Sequence, residues 1–268
     1  MPPELVDSHC HLDFPDLAGD LPDVVARAAA SGVRRMVTIC TRLPSAPSVR
    51  AIAEAHEGVF FAAGVHPMNV ATEKEATVAE IVALAAHPKM VGVGETGLDY
   101  HYTAESAAAQ QRSLRVHIEA ARRTGLPLII HSRDADDDMA RILAEEHANG
   151  AYSCVMHCFS SGAALAEVAL DLGFYLSMSG VATFKSADAV RAVFAAAPLE
   201  RILVETDSPY LAPPPHRGKP CEPAYTALTA AVGARVKGLP FPEFAAATTA
   251  NFERLFAKAA AWTGAGAS

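Results

Sequence analysis

The sequence predicts an α/β fold, a closed (β/α)8 TIM barrel, and three observations carry that prediction. Short apolar runs rich in β-branched residues alternate eight times with alanine-rich helical stretches, as successive βαβ units do. The first run ends in Asp7-Ser8-His9-Cys10-His11, without the Gly-x-Gly-x-x-Gly turn that opens many doubly wound sheets. Residues able to bind metals fall at the ends of several runs, and the strand ends of a βα barrel share one rim.

Strands are expected near 6–11, 34–40, 59–65, 90–95, 127–131, 152–158, 174–179 and 202–207. Helices are expected near 21–31, 45–57, 75–87, 106–124, 135–148, 162–172, 186–197 and 223–237, with a ninth near 242–260. Gly32, Gly125 and Gly173 each follow a helical stretch, where a left-handed C-cap suits glycine. Pro88, Pro127 and Pro198 stop helices or open strands. Arg27, Arg122 and Arg123 sit in last turns, where a cation opposes the helix dipole. No linker divides the chain, so residues 1–260 read as one barrel domain. Residues 261–268 read as a short flexible tail.

Composition excludes several function classes. The 268 residues are 51% hydrophobic and 19% charged, enough to bury a sizeable core. The formal charge of −8 argues against a protein that coats long duplexes, because such binding neutralises many phosphates. Five cysteines, with no Cys-x-x-Cys pair, argue against a disulfide framework or a thiolate zinc site. No basic leader precedes an apolar run, and no apolar stretch is long enough to span a bilayer. The expected location is cytoplasmic, with no membrane partner and a monomer favoured.

The chemistry lies in the polar residues at strand ends. His9 and His11 are two apart and so share a strand face, which inside a barrel is the interior. Glu95 lies in Gly94-Glu95-Thr96-Gly97, where a buried carboxylate is costly unless paired or on a metal. His131, His157 and Asp207 end three further strands. Each histidine alone reads more often as core; together at matching strand ends they read as ligands. Imidazoles and carboxylates suit Zn²⁺, Mn²⁺ or Ni²⁺ by ligand type, and Mg²⁺ can fill such a set by abundance. Glu205 shares the face of Asp207 and is expected to stand behind it as a brace, Asp207 being ligand or proton acceptor. His66 follows the third strand and reaches the same rim. Arg133 and Lys185 follow the fifth and seventh strands, and with His66 they are the expected phosphate contacts. Arg217 and Lys219 add charge beyond the eighth strand. His117, mid-helix, is expected to pack.

The motifs Asp7-Ser8-His9-Cys10-His11, Gly64-Val65-His66-Pro67 and Gly94-Glu95-Thr96-Gly97-Leu98-Asp99 occur in that order. Ile130-His131-Ser132-Arg133, His157-Cys158-Phe159-Ser160 and Glu205-Thr206-Asp207-Ser208-Pro209 follow. As a set they resemble the TatD family of metal-dependent deoxyribonucleases, within the amidohydrolase-like hydrolases, over nearly the whole chain. The resemblance implies one or two divalent ions. His9, His11, Glu95 and Asp207 would hold one; His131 and His157, with Glu95 bridging, would hold the other. It also implies phosphodiester cleavage, typically exonuclease action on DNA. The acidic balance suits DNA ends, single strands or short fragments better than long duplex, and Asp207 and Glu95 are the expected catalytic carboxylates. Two departures stand out: Cys221 in a loop that often carries asparagine there, and one extra residue in His157-Cys158-Phe159-Ser160-Ser161-Gly162. The rival reading keeps the metal centre but changes the bond to a small amide, lactone or ester, since one barrel supports many chemistries. A metal-stabilised scaffold without turnover is the non-enzymatic alternative.

Overall fold

The computed structural model describes residues 2–262. Eight strands run in sequence order around one sheet: β1 Leu5–Cys10, β2 Val33–Cys40, β3 Val59–Ala63, β4 Met90–Asp99, β5 Leu128–Arg133, β6 Cys154–Met156, β7 Tyr175–Met178 and β8 Ile202–Val204. Every neighbouring pair is parallel. The remaining seam, β8 to β1, is joined just beyond β8 by a parallel bridge between Cys10 and Ser208. There His11 N–H donates to the Ser208 carbonyl at 2.8 Å, and Asp207 N–H to the His9 carbonyl at 2.9 Å. The Asp7 carboxylate strengthens the seam by accepting from the Thr206 N–H at 3.0 Å and hydroxyl at 2.6 Å. The barrel is thus nearly closed, as expected.

Element boundaries differ from expectation where side chains compete for the backbone. Helix Val78–Ala85 starts later than residue 75 because Thr77 and Glu80 form a reciprocal capping box, with Thr77 N–H donating to Glu80 Oε2 at 2.8 Å. β4 continues four residues past Glu95, pairing Asp99 with Arg133 on β5. β6 and β8 stop short of 158 and 207, where the chain turns through positive φ at Cys158 and Asp207. The last helix is two pieces, Phe241–Leu255 and Ala257–Ala260, broken at Phe256. A four-residue helix, Pro15–Ala18, was not expected. Gly125 takes the anticipated left-handed cap of helix Ala107–Thr124.

The apolar residues divide into two cores. The larger lies between the strands and the surrounding helices. The smaller fills the barrel interior: Val6, Val37, Ile39, Phe60, Val91, Ile129, Val155, Tyr175 and Leu203. Phe252, Leu255, Phe256 and Ala259 belong to this inner core, so the C-terminal helices plug the barrel end opposite the rim that carries the expected ligands. Ala261 and Trp262, expected to open the tail, are placed, and Trp262 sits edge-on to Phe60 at 6.4 Å. Residues 263–268 of that tail lie outside the described residues. Among the described residues, no helix is long and apolar enough to cross a membrane.

One buried histidine is purely architectural and yields a prediction. His117 is fully buried, as expected. Its Nε2 accepts from Val65 N–H at 3.1 Å while Nδ1 faces the Ser113 carbonyl at 2.7 Å. Both ring positions are used by the neutral tautomer, and burial lowers its pKa from 6.5 to about 4. A depressed histidine lets the unfolded chain bind the proton first, so stability falls as pH drops below about 6.5. Urea melts should show wild type losing about 2 kcal/mol more than His117→Gln between pH 7 and pH 5. Parallel pH profiles would refute the assignment.

Candidate metal centre

Strand geometry brings all six expected ligands to one rim. His9 and His11 come from β1 and the residue after it, Glu95 and His131 lie within β4 and β5, and His157 follows β6 directly. Asp207 stands three residues beyond β8 at φ 62°, a left-handed conformation that aspartate tolerates better than most side chains. Glycines make the close approach possible. A Cβ at Gly97 would collide with the His131 carbonyl oxygen, and one at Gly94 with that of Ile129. β4 can therefore lie tight against β5 only with glycine on either side of Glu95.

Glu95 is the hub, and its two oxygens face different sets. Oε2 lies 3.4 Å from His9 Nε2. Oε1 lies 2.7 Å from His157 Nε2, 3.2 Å from His131 Nδ1 and 3.4 Å from His66 Nε2. Asp207 Oδ1 completes the first set, 3.3 Å from His11 Nε2 and 3.7 Å from His9 Nε2. Three overlapping groups have ligand atoms mutually within 4.8 Å: His9, Glu95 and His157; His9, His11 and Asp207; His66, Glu95 and His131. His66, expected to contact phosphate, thus stands where it could also hold an ion.

These residues fit divalent ions on a test internal to the structure. Both nitrogens of His9, Nδ1 of His11, Nε2 of His157 and Oε2 of Glu95 are buried without a hydrogen-bond partner among the described residues. Buried polar atoms are costly unless satisfied, and a cation shared among them satisfies several at once.

Charge complementarity runs through the cluster. Burial opposes ionisation of Glu95, but the facing imidazoles, His157 foremost, hold its carboxyl well below the usual range. Burial likewise opposes protonation of His157, and Glu95 and Glu205 overcome it, raising its pKa well above normal. His9 goes the other way, lowered by burial and by His157, whose ring stacks on it at 3.7 Å. Asp207 is lowered against its burial chiefly by the His11 hydrogen bond.

Two carboxylates behind the ligands fix the imidazole orientations. Glu205 Oε1 is 3.1 Å from His157 Nδ1 and also accepts from Cys158 N–H at 2.6 Å. Asp99 Oδ2 is 3.0 Å from His131 Nε2. Each would hold a ring N–H and so leave the opposite nitrogen, which faces Glu95, to offer its lone pair to an ion. Glu205 therefore braces His157 rather than Asp207, contrary to expectation. Asp99 was missed because β4 was ended at Glu95; its signal is the two-residue period, which places 95, 97 and 99 on one face.

The centre lies in a cleft of about 700 Å³ lined by His11, His66, Glu95, His131, His157 and Asp207, with Arg133 at its edge. A larger hollow of about 1020 Å³ adjoins it, sharing Arg133 and Ser160, but no histidine lines it, so the chemistry belongs to the smaller cleft. Arg133 is exposed and makes no ion pair among the described residues. Lys185 is exposed and lines neither space. Ser160, Ser161 and Gly162, at the one-residue insertion, wall the larger hollow. Cys221 is buried, and its N–H donates to the Pro209 carbonyl at 2.9 Å.

Comparison with known proteins agrees with the barrel fold and shows the family. The family model described as TatD related DNase matches residues 6–257. The chain is 44% identical over 255 residues to the uncharacterized metal-dependent hydrolase YcfH of Escherichia coli K12, covering 94% of this chain and 95% of that one. It is 32% identical over 259 residues to the 3′-5′ ssDNA/RNA exonuclease TatD of Klebsiella pneumoniae, covering 94% and 97%. The crystal structure of YJJV, a TatD homolog from E. coli K12, superposes with a TM-score of 0.88 at 31% identity, covering 94% of this chain and 98% of that one. With the family model matching nearly the whole chain and the relatives covered almost end to end, this chain belongs to the TatD family of metal-dependent hydrolases.

Proposed function

We propose that the protein hydrolyses phosphodiester bonds at the ends of single-stranded or short nucleic acid, using one or two divalent ions held by His9, His11, Glu95, His131, His157 and Asp207. The observation that carries this reading is the Glu95 carboxylate, whose two oxygens face two separate histidine sets at the floor of one cleft. When bound there, divalent ions supply Lewis acidity beside the scissile phosphate. The chain's own residues do the rest. Arg133, without an ion-pair partner among the described residues, takes the phosphate oxygens and offsets charge as it builds. His66 presents Nε2 to the same space, as an additional ligand or a phosphate contact. Asp207 lines the cleft, and with Oδ1 turned to His9 and His11 its other carboxylate oxygen accepts the proton of the attacking water. Lys185 is left out, since it lines no part of the cleft. The acidic overall charge favours frayed ends and single strands over long duplexes.

The test is a metal-swap assay on single-stranded DNA labelled at the 3′ or the 5′ end. Chelation should abolish cleavage, and one or more of Mg²⁺, Mn²⁺, Zn²⁺ or Ni²⁺ should restore it, the two labels reporting direction. A parallel panel of lactones, dipeptides and carboxylic esters decides the bond. Turnover of carbonyl substrates alone, at metal saturation, would overturn the proposal.

A further inference from the structure

Three large apolar side chains are conspicuously exposed among the described residues: Met68 at 42%, Tyr102 at 59% and Tyr210 at 54%. All three line the cleft that holds the metal centre. Scattered surface hydrophobes need no explanation, but their confinement to one cleft mouth marks a contact surface.

The two tyrosines are placed symmetrically. Tyr102 follows β4 and Tyr210 follows β8, strands four apart in the eight-strand order and so on opposite sides of the barrel mouth. Each stands three residues beyond a carboxylate of the centre and is tied to it through its own backbone. Tyr102 N–H donates to Asp99 Oδ1 at 2.8 Å, the carboxylate that orients His131. Tyr210 N–H donates to the Asp207 carbonyl at 2.9 Å. The Arg133 guanidinium lies 5.7 Å from the Tyr102 ring centroid, adding positive charge beside that platform. Phe14 meets the Tyr210 ring edge-on at 6.1 Å, which supports the ring from one side.

On the phosphodiesterase reading above, we propose that Tyr102 and Tyr210 are paired stacking platforms for unpaired nucleobases, one on each side of the scissile phosphate. An aromatic ring accepts any base through its π-face, so the site requires unpaired bases but is indifferent to their identity. A base held in a duplex end is already stacked and paired, and must be freed before it can lie on either ring. The occupant is a base rather than an apolar peptide, because both rings flank a cation-binding floor and one stands beside a guanidinium with no ion pair among the described residues, the partners of a phosphate chain.

The experiment uses the metal-loaded full chain and two fluorescently labelled 12-mer oligothymidylates. One is intact; the other carries abasic analogues at the two outermost positions of both ends. Wild type should show a KM roughly tenfold or more higher for the abasic-ended strand, the scale of base–aromatic stacking. Tyr102→Ala and Tyr210→Ala should each lower that ratio severalfold, and the double variant bring it toward one, through a raised KM on the intact strand with kcat little altered. Tyr102→Phe and Tyr210→Phe should restore the wild-type ratio. Thermal melts confirm that each variant folds. Undiminished discrimination in both alanine variants, or a wild type indifferent to the missing bases, would overturn the platforms while leaving the nuclease reading intact. A wild type that cleaves neither oligonucleotide would sink that reading and the platforms with it.

Discussion

Asp207→Asn is expected to lower phosphodiester turnover on the order of a thousandfold while leaving the barrel folded. Asparagine is the informative choice. Asp207 sits at φ 62°, a conformation asparagine also tolerates, whereas alanine would add backbone strain to the loss of charge. The N–H to His9 carbonyl bond that helps close the seam is a backbone contact and survives the change. What disappears is the anion beside His11 and His9, and with it the proposed proton acceptor. Steady-state kinetics on single-stranded DNA, beside circular dichroism melts, separates the two. Near-normal turnover in a folded Asp207→Asn enzyme would remove this residue from the chemistry.

Glu95→Ala should have the larger effect on the metal. Both histidine sets meet this one carboxylate, so on the proposed ligand sets its removal would strip a ligand from each. Partners one step removed from a metal cost 10–100-fold in affinity when lost, and a shared ligand should cost more than about a hundredfold. The check does not depend on activity. Bound metal after dialysis should fall from stoichiometric to trace. A thermal shift on adding Zn²⁺ or Mn²⁺, expected for wild type because the ion binds only the folded state, should vanish. A Glu95→Ala protein that retains stoichiometric metal and its shift would show that the histidines hold the ions without the bridge.

Much of this architecture was legible in the residues. His131 and His157 could be placed because each follows an uninterrupted apolar run, so the strand end could be located and the rim inferred. Glu95 could be placed because glycines flank it, a signature the collision of any Cβ with β5 explains. The misreadings share a physical origin. Strand alternation predicts facing only while the strand lasts. β8 ends at Val204, and the positive φ at Asp207 rotates that residue away from the face of Glu205, which turns to His157 instead. Asp99 was hidden for the opposite reason: β4 persists through a glycine-rich stretch that reads as a turn. Lys185 follows β7 in sequence, but the helical turn Gly180–Thr183 intervenes, and Lys185 lines neither the cleft nor the adjoining hollow. Long flexible cations after a strand are placed by such turns, which chain order does not reveal.

The plug at the barrel's far end has a consequence for biosynthesis. The innermost packing layer draws on residues near both extremes of the chain, from Val6 to Ala259. During translation, the early strands must therefore wait, with one end of their shared interior open to water, until Phe252 and Phe256 emerge. Nascent chains of this protein should depend on chaperone shelter late in synthesis, and messages truncated shortly before codon 252 should yield insoluble product rather than a smaller working enzyme.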